Sequence, residues 1–169
     1  NLSLQEIPFH LSIAGKGAHR KKLEKALEPW TKTGQISFLG PLNRQQVPEF
    51  LANTDIYIFP SHFEGCPNAL LEAMMAGCVS MAWTIKGITD FVLKEGETGF
   101  LHAVADCEHM AKNIKILNEN RKLLLKMSKL KFSTNFGKCI TPFWLCSNLP
   151  KKPSCRMSFS PLSFWEANS

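Results

Sequence analysis

From Phe9 to about residue 130 the chain alternates short β-rich runs with stretches of helical periodicity, and that alternation limits its architecture more than any other feature. Phe9 to Ala14 reads as a strand ending at Gly15-Lys16-Gly17, and Ala18 to Trp30 as a helix with Leu23 and Leu27 on its inner stripe. Ile36 to Leu39 is a short strand closed by Gly40-Pro41, and Asn43 can cap a helix running to about Asn53. Ile56 to Phe59 has the apolar make-up of a buried strand and stops at Pro60. A helix from Asn68 to Ala76 with Gly77 as its C-terminal cap, a strand from Val79 to Ala82, a short helix over Thr89 to Leu93 and a small strand at Phe100-Leu101 follow. Residues 106–129 read as one long helix, with Met110, Ile114, Leu117, Leu124 and Met127 at helical spacing. Strands alternating with helices of this length imply βαβ units, hence an α/β, doubly wound parallel sheet. In such sheets ligands bind beyond the carboxyl ends of the strands, where loops enter helices.

From Ser133 to Ser169 the pattern stops. This stretch is rich in Ser, Pro and Phe, holds three of the six Cys and has no clear period. The expectation is therefore one domain over residues 1–132 and an irregular, unassigned C-terminal tail over 133–169. At 169 residues the chain is long enough for one compact domain, and it opens on Asn1 without an early Met, as a piece of a longer protein would. No run of about 20 apolar residues and no secretory leader is visible. The Cys spacing suggests neither disulfides nor a metal, so a reducing, cytoplasmic setting is expected, with Cys66, Cys78 and Cys107 as small core residues.

The net charge of +6 is unevenly placed. Residues 1–111 carry nine basic and twelve acidic side chains, whereas 112–169 carry eleven basic and two acidic. A nucleic-acid-binding domain concentrates its basic excess on the recognition surface, so that class is not expected. The basic end could touch anionic lipid or be a solvated helix face.

The chemistry concentrates in Phe59-Pro60-Ser61-His62-Phe63-Glu64-Gly65-Cys66-Pro67-Asn68-Ala69-Leu70-Leu71-Glu72, which runs from a strand end through a turn into a helix. Pro67 sits near the helix start, and the unpaired N–H groups after it can hold a phosphate without a metal ion. Glu72 lies among Ala69, Ala73 and Ala76, in a helix whose other positions are mostly apolar, and is expected to be buried. A buried carboxylate needs donors. A ribose diol or a basic side chain would serve equally. Glu64 precedes the helix, where a solvated loop carboxylate is the commoner case. His62 and Trp83 read as packing residues at the rim, and His19-Arg20-Lys21-Lys22 as a solvated charged face.

Together these residues resemble the C-terminal, Rossmann-like donor domain of the retaining GT-B glycosyltransferases of group 1, or family 4. Glu64 and Glu72, with seven residues between them, match the family's paired glutamates, and Glu-Gly-x-Pro-Asn is matched by Glu64 to Asn68. Ala14-Gly15-Lys16-Gly17, Phe38-Leu39-Gly40, Asp55 to Ile58 and Glu97-Thr98-Gly99-Phe100-Leu101 also have counterparts. The resemblance implies that Glu64 is the catalytic residue at the transferred sugar and Glu72 binds the ribose. It gives the diphosphate to the backbone of Cys66, Pro67, Asn68, Ala69 and Leu70. Gly40, Pro41 and Leu42 would lie near the base, and Gly15, Gly17 and Gly87 would line the donor. Lys86-Gly87-Ile88-Thr89-Asp90 departs from the family's Gly-Gly-x-x-Glu.

The implied reaction is retaining transfer of a hexosyl group from a nucleoside-diphosphate sugar to a glycan or lipid acceptor, with no metal and no cofactor beyond the donor. The family's acceptor domain and its diphosphate-gripping basic pair lie upstream of these residues. The reading from another class is a non-catalytic nucleotide-sugar-binding fragment.

Overall fold

The computed structural model describes residues 8–129 and 155–159. They form a six-stranded, wholly parallel sheet with helices on both faces. In chain order the elements are β1 (Phe9–Ala14), α1 (Arg20–Ala26), α2 (Glu28–Lys32), β2 (Ile36–Gly40), α3 (Gln46–Ala52), β3 (Ile56–Phe59), α4 (Asn68–Met75), β4 (Val79–Trp83), α5 (Thr89–Val92), β5 (Gly99–His102), α6 (Cys107–Glu119), α7 (Arg121–Lys129) and β6 (Cys155–Phe159). The spatial strand order is β2-β1-β6-β3-β4-β5.

Strand alternation builds two cores. Phe9, Ile13, Ile36, Ile56, Val79 and Met81 face one side, where α6 and α7 bring Met110, Ile114, Leu117, Leu124 and Met127. Tyr57, Phe59 and Ala82 face the other, against Leu51, Leu70, Leu71, Ala73 and Val92 from α3, α4 and α5. Ile56, Val79 and Leu117 are wholly excluded from solvent, as a parallel sheet covered on both faces requires.

The expected elements are present, with instructive breaks. The helix expected over Ala18 to Trp30 divides at Leu27, because Pro29 has no N–H to donate one turn back. The long helix expected over 106–129 divides at Asn120, whose side-chain oxygen accepts the N–H of Leu123 at 3.0 Å and so caps α7. Asn43 works as expected, accepting from the N–H groups of Gln45 and Gln46, each at 3.0 Å. Gly77 ends α4 at φ +85°.

Two expectations are corrected. Cys66 and Cys107 are exposed, because Cys66 stands in the loop leading into α4 and Cys107 is the first residue of α6; only Cys78 of the three is a core residue. Its thiol lies 3.4 Å from the Leu51 carbonyl oxygen, and burial pushes its pKa up. The tail expected to be irregular contributes β6, seated between β1 and β3. Five residues flanked by Pro- and Ser-rich sequence give no periodicity of their own, and their partners are far away in the chain. Residues 130–154 and 160–169 lie outside the described residues.

His102, at the end of β5, is buried with Nε2 3.2 Å from the Asn113 amide nitrogen and its ring 5.2 Å from that of His109. Burial, then the neighbouring His109, lowers its pKa from 6.5, outweighing the Ala82 backbone, Glu95 and Asp106. The unfolded chain takes up a proton below about pH 6.5 that the folded imidazole resists. Stability should therefore fall with pH below that point, by at most about 1.4 kcal/mol per unit. Urea unfolding at pH 7.5 and 5.5 should show this loss in the native chain and a smaller one in His102→Gln.

Candidate functional site

Because every strand is parallel, the loops after β1, β2, β3 and β4 all leave the same edge of the sheet. They contain nearly all the residues singled out in the sequence. At β1 the register slips between Ile13 and Ala14, so that Ala14 pairs with Gly40 and the Gly15 N–H donates to the Gly40 carbonyl at 2.7 Å. The two glycine turns are thereby locked together. Gly15 (φ +136°) and Gly40 (φ +74°) both hold backbone conformations that favour glycine. Both are buried, Gly17 and Leu42 are half-buried, and Pro41 is exposed.

Arg20, assigned from sequence to a solvated face, is half-buried beside this turn. Its guanidinium pairs with Glu24 at 2.7 Å and lies 5.7 Å over the Phe38 ring. The Glu24 spacing of one helical turn was the available signal.

After β3 the chain folds back onto the sheet end. The Ser61 hydroxyl donates to the Phe63 carbonyl at 3.0 Å, and Ser61 and Pro67 are buried. The Asn68 N–H donates to the Cys66 carbonyl at 2.8 Å, and the Cys66 thiol donates to the Asn68 side-chain oxygen at 3.2 Å. Helix α4 starts there without a side-chain cap, so its first-turn N–H groups around Ala69 and Leu70 remain the natural anion ligands of this edge. Leu70 and Leu71 are buried and seat that turn.

The two glutamates exchange the environments expected of them. Glu64 is buried, at 7% exposure, and its Oε1 has no hydrogen-bond partner among the described residues. The folded-back loop, from the Ser61 turn to buried Pro67, takes it out of solvent. Glu72 is exposed. It stands one turn after exposed Asn68, and the two form an open stripe while Leu70, Leu71 and Ala73 turn inward. The helix is thus not apolar all round, and the expectation of a buried Glu72 is corrected.

The His62 ring packs edge-on to Trp83 at 4.5 Å, as the sequence suggested, and ties the loop after β3 to the end of β4. The departure at Lys86 to Asp90 forms a braced turn. Gly87 (φ +80°) donates its N–H to the Asp90 carboxylate at 2.7 Å, and the Thr89 hydroxyl receives the Ile85 N–H at 2.7 Å while donating to the Trp83 carbonyl at 2.8 Å. Asp90 is thus committed to its own loop.

A glycine-turn pair, a buried carboxylate whose Oε1 has no partner among the described residues, and an uncapped helix start share one edge of the sheet. The sequence family model for glycosyl transferases group 1 matches residues 2–120. The chain belongs to that family.

Sulfoquinovosyl transferase of Arabidopsis thaliana is 30% identical over 114 residues, which is 66% of this chain and 21% of that protein. Among solved structures, the C-terminal domain of a glycosyl transferase group 1 protein from Francisella tularensis matches at TM-score 0.62 and 19% identity. That match covers 75% of this chain and 84% of the other. An Anabaena protein, HepE, solved with UDP matches at TM-score 0.63 and 20% identity, over 74% of this chain and 36% of that one. These likenesses show the α/β fold. The chain spans a third or less of the first curated relatives it matches.

Proposed function

We propose that this chain is the donor-nucleotide domain of a retaining hexosyltransferase, and that its site holds a nucleoside-diphosphate sugar. The observation that carries this reading is the buried Glu64 with an unpartnered Oε1, beside the uncapped start of α4. A sugar hydroxyl would supply the donor Glu64 lacks. The diphosphate would lie on the first-turn N–H groups of α4, and a ribose diol on exposed Glu72 as a forked acceptor. The Gly40-Pro41-Leu42 turn would flank the base, with Gly15, Gly17 and Gly87 lining the donor. The solved UDP complex of HepE supports a uridine nucleotide as the first to test.

In the complete protein an upstream domain would bring the glycan or lipid acceptor and further cationic charge. Loss of the diphosphate would then pass through an oxocarbenium-like state, with the negative charge of the departing diphosphate stabilised by the helix N–H groups and the upstream cations. Neither metal nor additional cofactor is part of this scheme. A cytoplasmic protein touching the membrane through its basic end fits the same reading.

Titration calorimetry of the chain with UDP, GDP and ADP tests it. One nucleotide should bind best, and Glu72→Ala should weaken it by about tenfold or more, the value of a charge-assisted pair of hydrogen bonds. Glu64→Gln should leave the nucleotide's affinity unchanged and lower that of the matching nucleotide sugar. An unaltered affinity in Glu72→Ala would remove the ribose role.

A further inference from the structure

The basic run that opens α1 does not behave as one surface. Lys21 and Lys22 are exposed, whereas Arg20 is half-buried against the glycine turns. Three contacts fix its guanidinium. Nε donates to Glu24 Oε1 at 2.7 Å, one helical turn on, and the guanidinium carbon lies 5.7 Å from the centre of the Phe38 ring. Nη1 rests against the turn at the end of β2, where a Cβ placed on Gly40 would meet it at 3.5 Å, an ordinary contact distance.

This clamp uses only one of the five N–H donors of the fork. The donors on the two Nη atoms have no acceptor among the described residues, and 35% of the side-chain surface stays open. Holding Nε and the face of the guanidinium in advance lowers the ordering cost of any contact the Nη atoms make. The turn they rest on is the one assigned above to the nucleobase, and its Gly40 carbonyl is fixed by the Gly15 N–H at 2.7 Å. A guanidinium donates hydrogen bonds and cannot accept them. Uracil and guanine carry a carbonyl oxygen on the base edge where cytosine and adenine carry an amino group.

We propose that Arg20 reads the nucleobase: its Nη groups donate to the exocyclic oxygen of a keto base, uracil or guanine, and so select against cytosine and adenine. The inference rests on the donor-nucleotide reading above and narrows its substrate class to diphosphates of the keto bases. Glu24 and Phe38 are then positioning residues, because each acts through the guanidinium rather than on the base.

Titration calorimetry of the full chain with two pairs of nucleotides, UDP with CDP and GDP with ADP, tests it. Whichever ring size the site takes, the keto member of that pair should bind at least about tenfold more tightly. Arg20→Met keeps an apolar stem beside Phe38 but has no donor, and should bring the two members to within about threefold of each other. Lys22→Met, which removes an exposed neighbouring charge, should leave the ratio as it is in the native chain. Glu72→Ala should weaken both members equally, since they share one ribose. Glu24→Gln loosens the clamp at the surface and should lower the ratio in the same direction, which keeps the test open should Arg20→Met fold poorly. Equal binding of the keto and amino members by the native chain would overturn the proposal and leave the donor reading standing. So would a native ratio in Arg20→Met. Binding of none of the four nucleotides would instead remove the donor reading, and this proposal with it.

Discussion

Gly99→Ala is expected to cost about 3–5 kcal/mol of folding stability, enough to unfold much of the population of an ordinary domain. Gly99 opens β5 opposite Ser80 of β4. A Cβ there would sit inside the van der Waals shell of the Ser80 carbonyl oxygen and 2.7 Å from the Leu93 side chain. Leu93 could rotate away only at the cost of other contacts, since it is itself buried at 1% exposure. The Ser80 oxygen cannot move at all without shifting β4, which is paired on both sides. Backbone conformation is not the cause, because Gly99 is not among the glycines with positive φ. The requirement is purely one of space. Urea unfolding should show a large drop in midpoint with little change in slope, whereas Gly96→Ala, at φ +70° in an open turn, should show only conformational strain. A midpoint for Gly99→Ala within error of the native value would mean that β5 does not pack on β4 as described.

The same glycine shows what a sequence reading can and cannot reach. Its neighbourhood, Glu97 to Leu101, was legible as a family element, but the reason for the glycine lies in Ser80 and Leu93, which no local pattern reveals. Strands β1 to β5 were legible because they read as compact apolar or alternating runs bounded by Gly and Pro. Helix breaks at Leu27 and Asn120 were not, since one proline or one capping side chain outweighs the periodicity around it. β6 was missed for a different reason. Its stability comes from β1 and β3, so a five-residue run in a Ser- and Pro-rich stretch carries no mark of where it pairs.

The glutamates were legible as residues and misjudged as environments. Burial of Glu64 follows from the Ser61 turn folding the loop inward, a tertiary event. Exposure of Glu72 follows from sharing a stripe with Asn68 one turn earlier, which a count of apolar neighbours hides.

Leu70→Ala should separate the seating of the site from its chemistry. Leu70 is fully buried at the third position of α4, packed among Tyr57, Phe59, Leu93 and their neighbours. Truncation leaves a cavity beneath the first helical turn and is expected to cost about 3–4 kcal/mol. In an eight-residue helix that turn has little other anchorage, so the N–H groups assigned to the diphosphate lose their fixed direction. Nucleotide affinity should fall by about tenfold in addition. Exposed Glu72→Ala should behave oppositely, with stability changed by no more than about 0.5 kcal/mol and affinity reduced. Urea unfolding and calorimetry on both variants give four numbers, and the pattern matters more than any one of them. If Leu70→Ala were destabilised yet bound nucleotide with native affinity, the start of α4 would not be the phosphate cradle, and the ligand would have to be held by the glycine turns of β1 and β2 alone. If Glu72→Ala lost stability in step with affinity, its carboxylate would be a structural cap and the ribose would need another partner. Only the crossed result, stability lost at Leu70 and affinity lost at both, places the donor where the packing of α4 puts it.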